Sequence, residues 1–230
     1  MSERAAIFGR IREALKILAP IPGQHTHEAI TAHAPISEPE KHIAEWLPAV
    51  GASAEQHLAL YAVNSAELKT DFRVVASREE MQAQLAQIAA EEGWKKVALH
   101  TGELTTPVVQ SLGLPTLETV AGYDKVELEK CDAGITACDA LVAQTGSVLV
   151  SSRSAGGRAL SVLPAHHVVL ARKEQLLADL PAAFALLKQK YDGNYPSFFS
   201  FITGPSRTGD IERILVLGAH GPKKLTVLLW

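Results

Sequence analysis

The sequence predicts an α/β protein built on a parallel sheet with covering helices, and two patterns lead to this prediction. From Phe72 onward, short apolar runs alternate with amphipathic helical segments in the order strand, helix, strand, helix. Glycines such as Gly93 and Gly113 follow the predicted helices, at the position where a helix commonly ends. Because parallel strands need crossover connections, which are usually helices, this alternation favours a parallel sheet.

The first 38 residues are predicted to form an arm that precedes the sheet domain. Apolar residues recur at helical spacing over residues 3–18, and Ser2 can cap the start of this amphipathic helix. Residues 19–39 are rich in proline, histidine and threonine without periodicity, which is typical of an extended linker. We therefore expect an arm over residues 1–38 and one domain over residues 39–230.

Within the domain, local signals predict the remaining helices and strands. Helices are expected from about residue 40 to 47, at 52–68, at 78–93, around 108–112 and at 174–190, the last with an inward face of Leu176, Leu177, Leu180, Phe184 and Leu187. Strands are expected at residues 72–75, 97–99, 141–143, 148–150, 167–170 and 225–229, with a tight turn between the third and fourth. A capping box is expected at residues 77–80, and the apolar run 211–217 suits either a buried strand or two helical turns.

The composition excludes nucleic acid as an expected partner and gives no sign of export. The 230 residues carry 22 Lys and Arg against 25 Asp and Glu, a net charge of -3 at pH 7, whereas a protein that binds nucleic-acid phosphates needs a basic excess. The first residues mix Arg and Glu on a helical pattern and lack a continuous apolar core. We therefore expect neither a signal peptide nor a membrane span, and we expect a cytoplasmic location.

The chain has two cysteines, Cys131 and Cys138, and this number limits its redox chemistry. A 4Fe–4S cluster usually needs four thiolates, so the isolated chain is not expected to hold one. The sequence also has no Gly-x-Gly-x-x-Gly after a strand and no Walker-type Gly-Lys-Ser or Gly-Lys-Thr, so nucleotide sites have no direct support. We expect no cofactor in the isolated chain, and we interpret both cysteines as buried apolar groups.

The first candidate site is the polar stretch 203–222, in which two turns flank an apolar run. The turn residues are Gly204, Pro205, Ser206, Arg207, Thr208 and Asp210, followed by Gly218, His220, Gly221 and Pro222. Turns expose backbone N–H groups, and the planar guanidinium of Arg207 can hold a carboxylate or phosphate. An anion site is therefore the first hypothesis. A strand-to-helix connection, capped by Ser206, Thr208 or Asp210, is the alternative.

A second candidate site lies between residues 144 and 158. The turn Thr145, Gly146, Ser147 and the loop 153–158 both expose N–H groups, and Arg158 can act there as an anion clamp. The alternative is a flexible surface loop with an exposed arginine. If the turn, this loop and the 204–210 turn converge at one edge of the sheet, they form one anion site.

Acid–base groups accompany the first candidate site. Asp210, Glu212 and His220 are general-base candidates near Arg207, and oxidation of a 2-hydroxy acid needs both a proton acceptor and an anion clamp. The pair at residues 166 and 167 offers one histidine to a metal shared with His220. Adjacent strand residues point to opposite faces, so at most one of the pair faces such a site, and we expect no metal.

Two blocks of sequence resemble one known family. GPSRTGDIE at residues 204–212 is followed by GAHGP at 218–222, and an earlier block contains ALVAQTGSVLV at 140–150 and LSVLPAHH at 160–167. In this order, the strings are similar to the signature of the LUD domain family. The resemblance is specific over about the C-terminal half of the chain.

The resemblance implies a fold, a function and a set of site residues. The fold is sugar-phosphate-isomerase and CoA-transferase-like (the NagB/RpiA type), an open, mostly parallel sheet with helices on both faces. The function is that of a lactate-utilisation subunit that binds a small anionic ligand and assists the oxidation of L-lactate to pyruvate, with iron–sulfur and glycolate-oxidase-like partner proteins that hold the redox centres. The alternative is a stand-alone isomerase-like or CoA-transferase-like enzyme acting on a carboxylate or phosphate ester. The motif positions are Thr145, Gly146, Ser147, Gly204, Pro205, Ser206, Arg207, Thr208, Asp210, Glu212, His220 and Gly221.

Overall fold

The structure is a computed structural model that describes residue 16 and residues 49–119, 123–208 and 216–230. The predicted arm, the helix expected near residue 40 and most of the ambiguous run 211–217 lie outside the described residues. Residues from 49 onward belong to one compact unit, Leu47–Trp230. Within the described part of the chain, no helix combines the length and the apolar character needed to cross a membrane.

The described residues form five α-helices, one 3-10 turn and twelve strands. The helices are α1 Ala54–Glu67, α2 Arg78–Glu92, α3 Thr105–Gln110, α4 Lys125–Glu129 and α5 Leu180–Tyr191, and the 3-10 turn is Lys173–Gln175. The strands are β1 Asp71–Val74, β2 Val97–Leu99, β3 Thr116–Glu118, β4 Ala133–Thr136, β5 Ala140–Val142, β6 Ser147–Ser151, β7 His166–Ala171, β8 Leu176–Leu177, β9 Phe199–Ile202, β10 Arg207–Thr208, β11 Val216–Leu217 and β12 Lys224–Leu229.

The main sheet has six strands in the order β1-β12-β7-β4-β2-β3, and every neighbouring pair is parallel. Its residues alternate between two buried faces, as a strand requires. Val168 and Leu170 of β7 pack with α2 and α3 on one face, and Val169 and Ala171 pack with α1 and β5–β6 on the other. The predicted α/β class, with a mostly parallel sheet and helices on both faces, is confirmed.

Helix caps fix where α1 and α2 begin. The Ser53 hydroxyl accepts the N–H of Gln56, and the Gln56 side chain accepts the N–H of Ser53, which makes a complete capping box at α1. At α2, Ser77 accepts from the N–H of Glu80, but the Glu80 carboxylate accepts from Ala76 instead of Ser77. The capping box predicted at residues 77–80 is therefore wrong in its second half, because the carboxylate reaches one residue further back.

A second, smaller sheet covers one face of the main sheet, in the order β8-β5-β6-β9. The two strands predicted on either side of Gln144–Ser147 are present as the antiparallel pair β5–β6, with Ala140 opposite Leu149. Helix α5 packs on the far side of this sheet through Ala183 and Leu187. The small sheet therefore lies between the main sheet and α5.

The helix predicted at residues 174–190 is correct only over its C-terminal part. Its first residues form the 3-10 turn and β8, and α5 begins after Asp179, whose carboxylate accepts from the N–H of Ala182 at 2.8 Å. Strand β8 pairs with β5 in parallel, and this tertiary pairing overrides the helical pattern of Leu176 and Leu177. Phe184, predicted to face inward, is 53% exposed.

Candidate functional site

The two turns of the 203–222 motif are bonded to each other. The Ser206 N–H donates to the Pro222 carbonyl at 2.8 Å, and the Gly218 N–H donates to the Ser206 carbonyl at 3.0 Å. Strand β10 pairs with β11 directly after Ser206, so the C-terminal end of the ambiguous run 211–217 is a strand. Pro222 comes shortly before β12, and the Lys223 N–H donates to Ala165, just before β7. The motif therefore lies at the amino ends of β7 and β12.

A cleft of about 170 Å³ opens on one side of the paired turns, and we call it the hydroxyl cleft. Among the described residues, three serines line it, and His220 and Gly221 come from the second turn; the serines are Ser161, Ser200 and Ser206. Apolar side chains complete the wall, namely Val162, Phe198 and Ile202. The cleft thus combines polar groups that can orient a ligand with an apolar surface, as small-molecule sites do.

Ser161 is the most informative residue of the hydroxyl cleft. It is 3% exposed, and its hydroxyl has no hydrogen-bond partner among the described residues. A buried hydroxyl without a partner costs about 1–3 kcal/mol, and each such group in a native fold calls for an explanation. A ligand oxygen in the cleft would satisfy it.

Arg207 lies on the other side of β10, because neighbouring strand residues point in opposite directions. Its guanidinium donates to the carbonyl of Leu68, at the end of α1. Gly204 has a φ of 87°, and its Cα packs so closely on Leu68 that a Cβ would lie 2.8 Å from the same carbonyl oxygen. Gly204 therefore allows the first turn to approach α1.

The turn at Thr145, Gly146 and Ser147 packs against α1. Gly146 has a φ of 64°, and a Cβ there would lie 2.9 Å from the backbone of Asn64. The Ser147 hydroxyl, which is buried, contacts the hydroxyls of Thr145 and Thr203, each at 2.8 Å. These donors are used within the protein, and they join this turn to the residue before Gly204.

The loop that carries Arg158 begins at the carboxyl ends of the main-sheet strands, opposite to the 203–222 motif. Gly156 packs on His100, which follows β2, and on Thr119, which follows β3, so it lies at the carboxyl ends of these strands. The predicted convergence of the three loops at one end of the strands is wrong, because the chain from residue 157 to 165 passes over Gly134 of β4 before it reaches the amino ends of the strands. Arg158 itself donates to the carbonyl of Ser197 at 2.8 Å.

The two adjacent histidines face opposite sides of the main sheet, as predicted. His166 Nε2 lies 2.8 Å from Thr226 Oγ1, and its ring stacks edge-on to Trp94 at 5.3 Å. His167 Nε2 lies 2.9 Å from Thr136 Oγ1 on the other face. Burial lowers the pKa of His166 to about 4 and that of His167 to about 3. Among the described residues, no cluster of three or more His, Cys, Asp or Glu could hold a metal ion.

The structure describes only one of the three general-base candidates. His220 lines the hydroxyl cleft and is exposed. Asp210 and Glu212 lie outside the described residues, so their place in the site stays a prediction.

Sequence reasoning missed Ser161 and Ser200. A signal for Ser161 was present, since it lies in the LSVLPAHH string that carried the resemblance. No sequence motif includes Ser200, and it reaches the cleft only because β9 pairs with β6.

The fold and the site define an α/β protein with an all-parallel main sheet. Its candidate cleft lies at the amino ends of the strands and is lined by residues of the 203–222 motif. The chain belongs to the LUD domain family, whose model matches residues 58–230.

Similar proteins and a solved structure support this family assignment. The chain is 28% identical over 195 residues to lactate utilization protein C of Anoxybacillus flavithermus, covering 82% of this chain and 87% of the relative. It is 38% identical over 99 residues to the protein of that name from Shouchella clausii, covering 43% of each. The alignment to the Bacillus licheniformis protein of that name has 33% identity over 115 residues and spans 48% of the relative. The crystal structure of a DUF162 family protein from Deinococcus radiodurans shares the fold, with a TM-score of 0.63, 20% identity, and coverage of 78% of this chain and 99% of that one.

Proposed function

We propose that this chain is a subunit of a lactate-utilisation system and that it binds L-lactate or pyruvate in the hydroxyl cleft. The relatives named lactate utilization protein C support the first part. The buried hydroxyl of Ser161 carries the second part, because no described residue completes its hydrogen bond and a ligand or water can do so.

The chemistry of the cleft matches a small 2-hydroxy acid. The lactate methyl group can rest on Val162, Phe198 or Ile202, while its hydroxyl and carboxylate oxygens accept from the serines. His220, in the second turn, supplies a proton acceptor or a donor to the carboxylate. The volume of about 170 Å³ is large enough for a molecule of this size.

The redox step needs an acceptor from outside the chain. Converting L-lactate to pyruvate releases two protons, one from C2 and one from the hydroxyl group, together with two electrons. With two cysteines in the chain, both buried, the thiolates are too few for a 4Fe–4S cluster. In this proposal the electrons pass to two partner proteins, one iron–sulfur and one glycolate-oxidase-like, and the isolated chain carries no cofactor.

Ligand titration tests the binding step. The purified chain is titrated with L-lactate, pyruvate and propionate, and backbone amide shifts are followed by NMR. We expect saturable shifts around residues 204–206 and 218–222 with L-lactate, and weaker binding of propionate, which lacks the 2-oxygen. If neither L-lactate nor pyruvate gives saturable shifts in these turns, the cleft is not the site.

Anaerobic co-purification tests the assembly step. We expect the tagged chain, expressed in a host that carries a lactate-utilisation operon, to retain iron–sulfur proteins. Retention of none, together with isomerase or CoA-transferase activity of the chain alone, would favour the stand-alone enzyme.

A further inference from the structure

A second cleft, which we call the basic cleft, lies on the Arg207 side of β10. It has a volume of about 450 Å³, more than twice that of the hydroxyl cleft. Among the described residues, its lining has five cationic side chains, Lys69, Arg73, Arg207, Lys223 and Lys224, and three acidic ones, Asp71, Glu91 and Glu92. The cleft therefore has a cationic excess in a chain whose net charge is -3.

Two of the cations are already neutralised. Arg73 pairs with Asp71 at 2.8 Å, and Lys224 Nζ lies 2.6 Å from both carboxylate oxygens of Glu92. Within the described part of the chain, Lys69, Arg207 and Lys223 have no ion pair. Against the remaining acidic residue, Glu91, these three cations leave a net charge of +2 among the described residues, which an anion would balance.

Left-handed backbone lies at or near two of these cations. Lys69 has a φ of 67°, the left-handed conformation that commonly ends a helix and that non-glycine residues adopt at a cost. Gly218 has a φ of 77°, and a Cβ there would overlap the side-chain stem of Lys223. The glycine therefore lets Lys223 pass over the second turn toward the cleft.

The cleft also contains an unsatisfied buried nitrogen and an apolar surface. His166 is 5% exposed, and its Nδ1 has no hydrogen-bond partner among the described residues, although Nε2 is bonded to Thr226. Because burial lowers the pKa of this imidazole, it is neutral at pH 7 and adds a hydrogen-bonding group without charge. Ile88 and Leu225 supply apolar contact.

We propose that the basic cleft is a second ligand site, which binds an organic anion carrying two or more negative charges. Lys69, Arg207 and Lys223 hold the charged groups, and the carbon skeleton rests on Ile88 and Leu225. Phosphate and carboxylate groups share the required chemistry, since both accept charge-assisted hydrogen bonds from lysine and arginine. The site is separate from the hydroxyl cleft, and its existence does not depend on lactate binding.

The test measures binding of two probes to matched variants of the full chain by calorimetry. Citrate represents polycarboxylates, and fructose 1,6-bisphosphate represents phosphate esters. Lys69→Gly removes a charge and relieves the left-handed strain, so it lowers affinity without lowering the melting temperature. Lys223→Ala removes the charge from the other wall, and Lys188→Ala, an exposed lysine on α5, is the control.

We expect at least one probe to saturate with one-to-one stoichiometry, and each cleft variant to weaken it by about tenfold while Lys188→Ala leaves it unchanged. The probe that binds more tightly identifies the charged group. An excess of L-lactate should not compete. The proposal is overturned if neither probe saturates at low ionic strength, or if Lys188→Ala weakens binding as much as Lys69→Gly does.

Discussion

The carboxylate of Asp139 accepts a 2.6 Å hydrogen bond from Nζ of Lys190, and the Asp139 side chain is fully buried. The Tyr191 hydroxyl donates to the same oxygen at 2.6 Å, and the Ser154 hydroxyl donates to the other at 2.8 Å. Burial alone would raise the pKa of Asp139, but these hydrogen bonds outweigh it and hold the pKa below its usual value. Since Asp139 precedes β5, and Lys190 and Tyr191 end α5, this network fixes the helix on the small sheet.

Lys190→Met should therefore destabilise the fold. The change leaves a buried carboxylate without its counter-charge, and because Lys190 is partly exposed we expect a loss of about 1–2 kcal/mol in the free energy of unfolding, less than for a fully buried pair. Urea denaturation measures it as a lower midpoint with an unchanged slope. Lys188→Met, on the same helix, is the control, and an equal loss in both variants would contradict a specific role for the pair.

Stability should fall as the pH decreases from about 6.5. The unfolded histidines take up protons near pH 6.5, whereas His166 stays neutral in the fold until about pH 4 and His167 until about pH 3. The unfolded chain binds more protons in this window, so each histidine contributes a slope of up to about 1.4 kcal/mol per pH unit, with full stability above pH 6.5. Thermal denaturation across this range measures the slope.

His166→Gln is the variant that isolates one of these contributions. It should flatten the dependence between pH 6.5 and 4, because glutamine takes no proton. A slope identical to that of the unmodified chain would show that other groups cause the acid sensitivity.

Ser161→Ala should separate ligand binding from stability. Removing a buried hydroxyl that has no partner among the described residues should leave the melting temperature unchanged or slightly higher. Loss of a hydrogen bond to the ligand should weaken L-lactate binding by about tenfold. NMR titration measures the affinity, and Ser152→Ala, in a loop outside the cleft, is the control. An unchanged affinity would show that Ser161 does not contact the ligand.

Two glycines with the same φ of 64° should respond differently to alanine. At Gly113 nothing lies within 4 Å of an added Cβ, so Gly113→Ala carries only the left-handed strain, about 1–2 kcal/mol. At Gly156 the Cβ would overlap Thr119 and the His100 ring, so Gly156→Ala should cost clearly more. Chemical denaturation of both variants measures the free energy of unfolding. Equal losses of stability would mean that the loop around Gly156 moves aside without cost.

The purified chain should be colourless, without the absorbance of an iron–sulfur cluster or a flavin. Two cysteines are too few for a 4Fe–4S cluster, and the sequence has no dinucleotide fingerprint. Absorption spectroscopy and iron analysis of protein prepared anaerobically measure this. Stoichiometric iron or bound flavin would contradict it.

The main elements of the fold could be predicted because their signals are local. Ser77 and Gly93 mark the two ends of α2, and the apolar run 225–229 predicts β12 almost to its ends. Of the small sheet, only the hairpin β5–β6 could be predicted, since the pairing of β8 depends on contacts such as Leu141 with Leu176, which are far apart in the sequence. Local pattern at Leu176 favours a helix, and the partner strand decides otherwise.

The candidate site was predictable in its motif residues but not in its arrangement. Turn chemistry singled out Ser206 and His220, which the structure places in one cleft. It also grouped Arg158 with them, although strand direction places the Gly156 loop at the other edge. Adjacent Ser206 and Arg207 face different clefts, and only the formation of β10 separates them.

The reactivity of the two buried cysteines can show which part of the protein opens first. Cys131 packs with Ala98 and Leu128 under α4, whereas Cys138 packs with Leu141 and the small sheet. Burial raises the pKa of both thiols, and the thiolate is the form that reacts, so alkylating reagents should modify the native chain slowly. Each thiol becomes reactive only when its own layer separates from the main sheet. Mass spectrometry of the two labelled peptides during pulsed alkylation would therefore show which layer opens first.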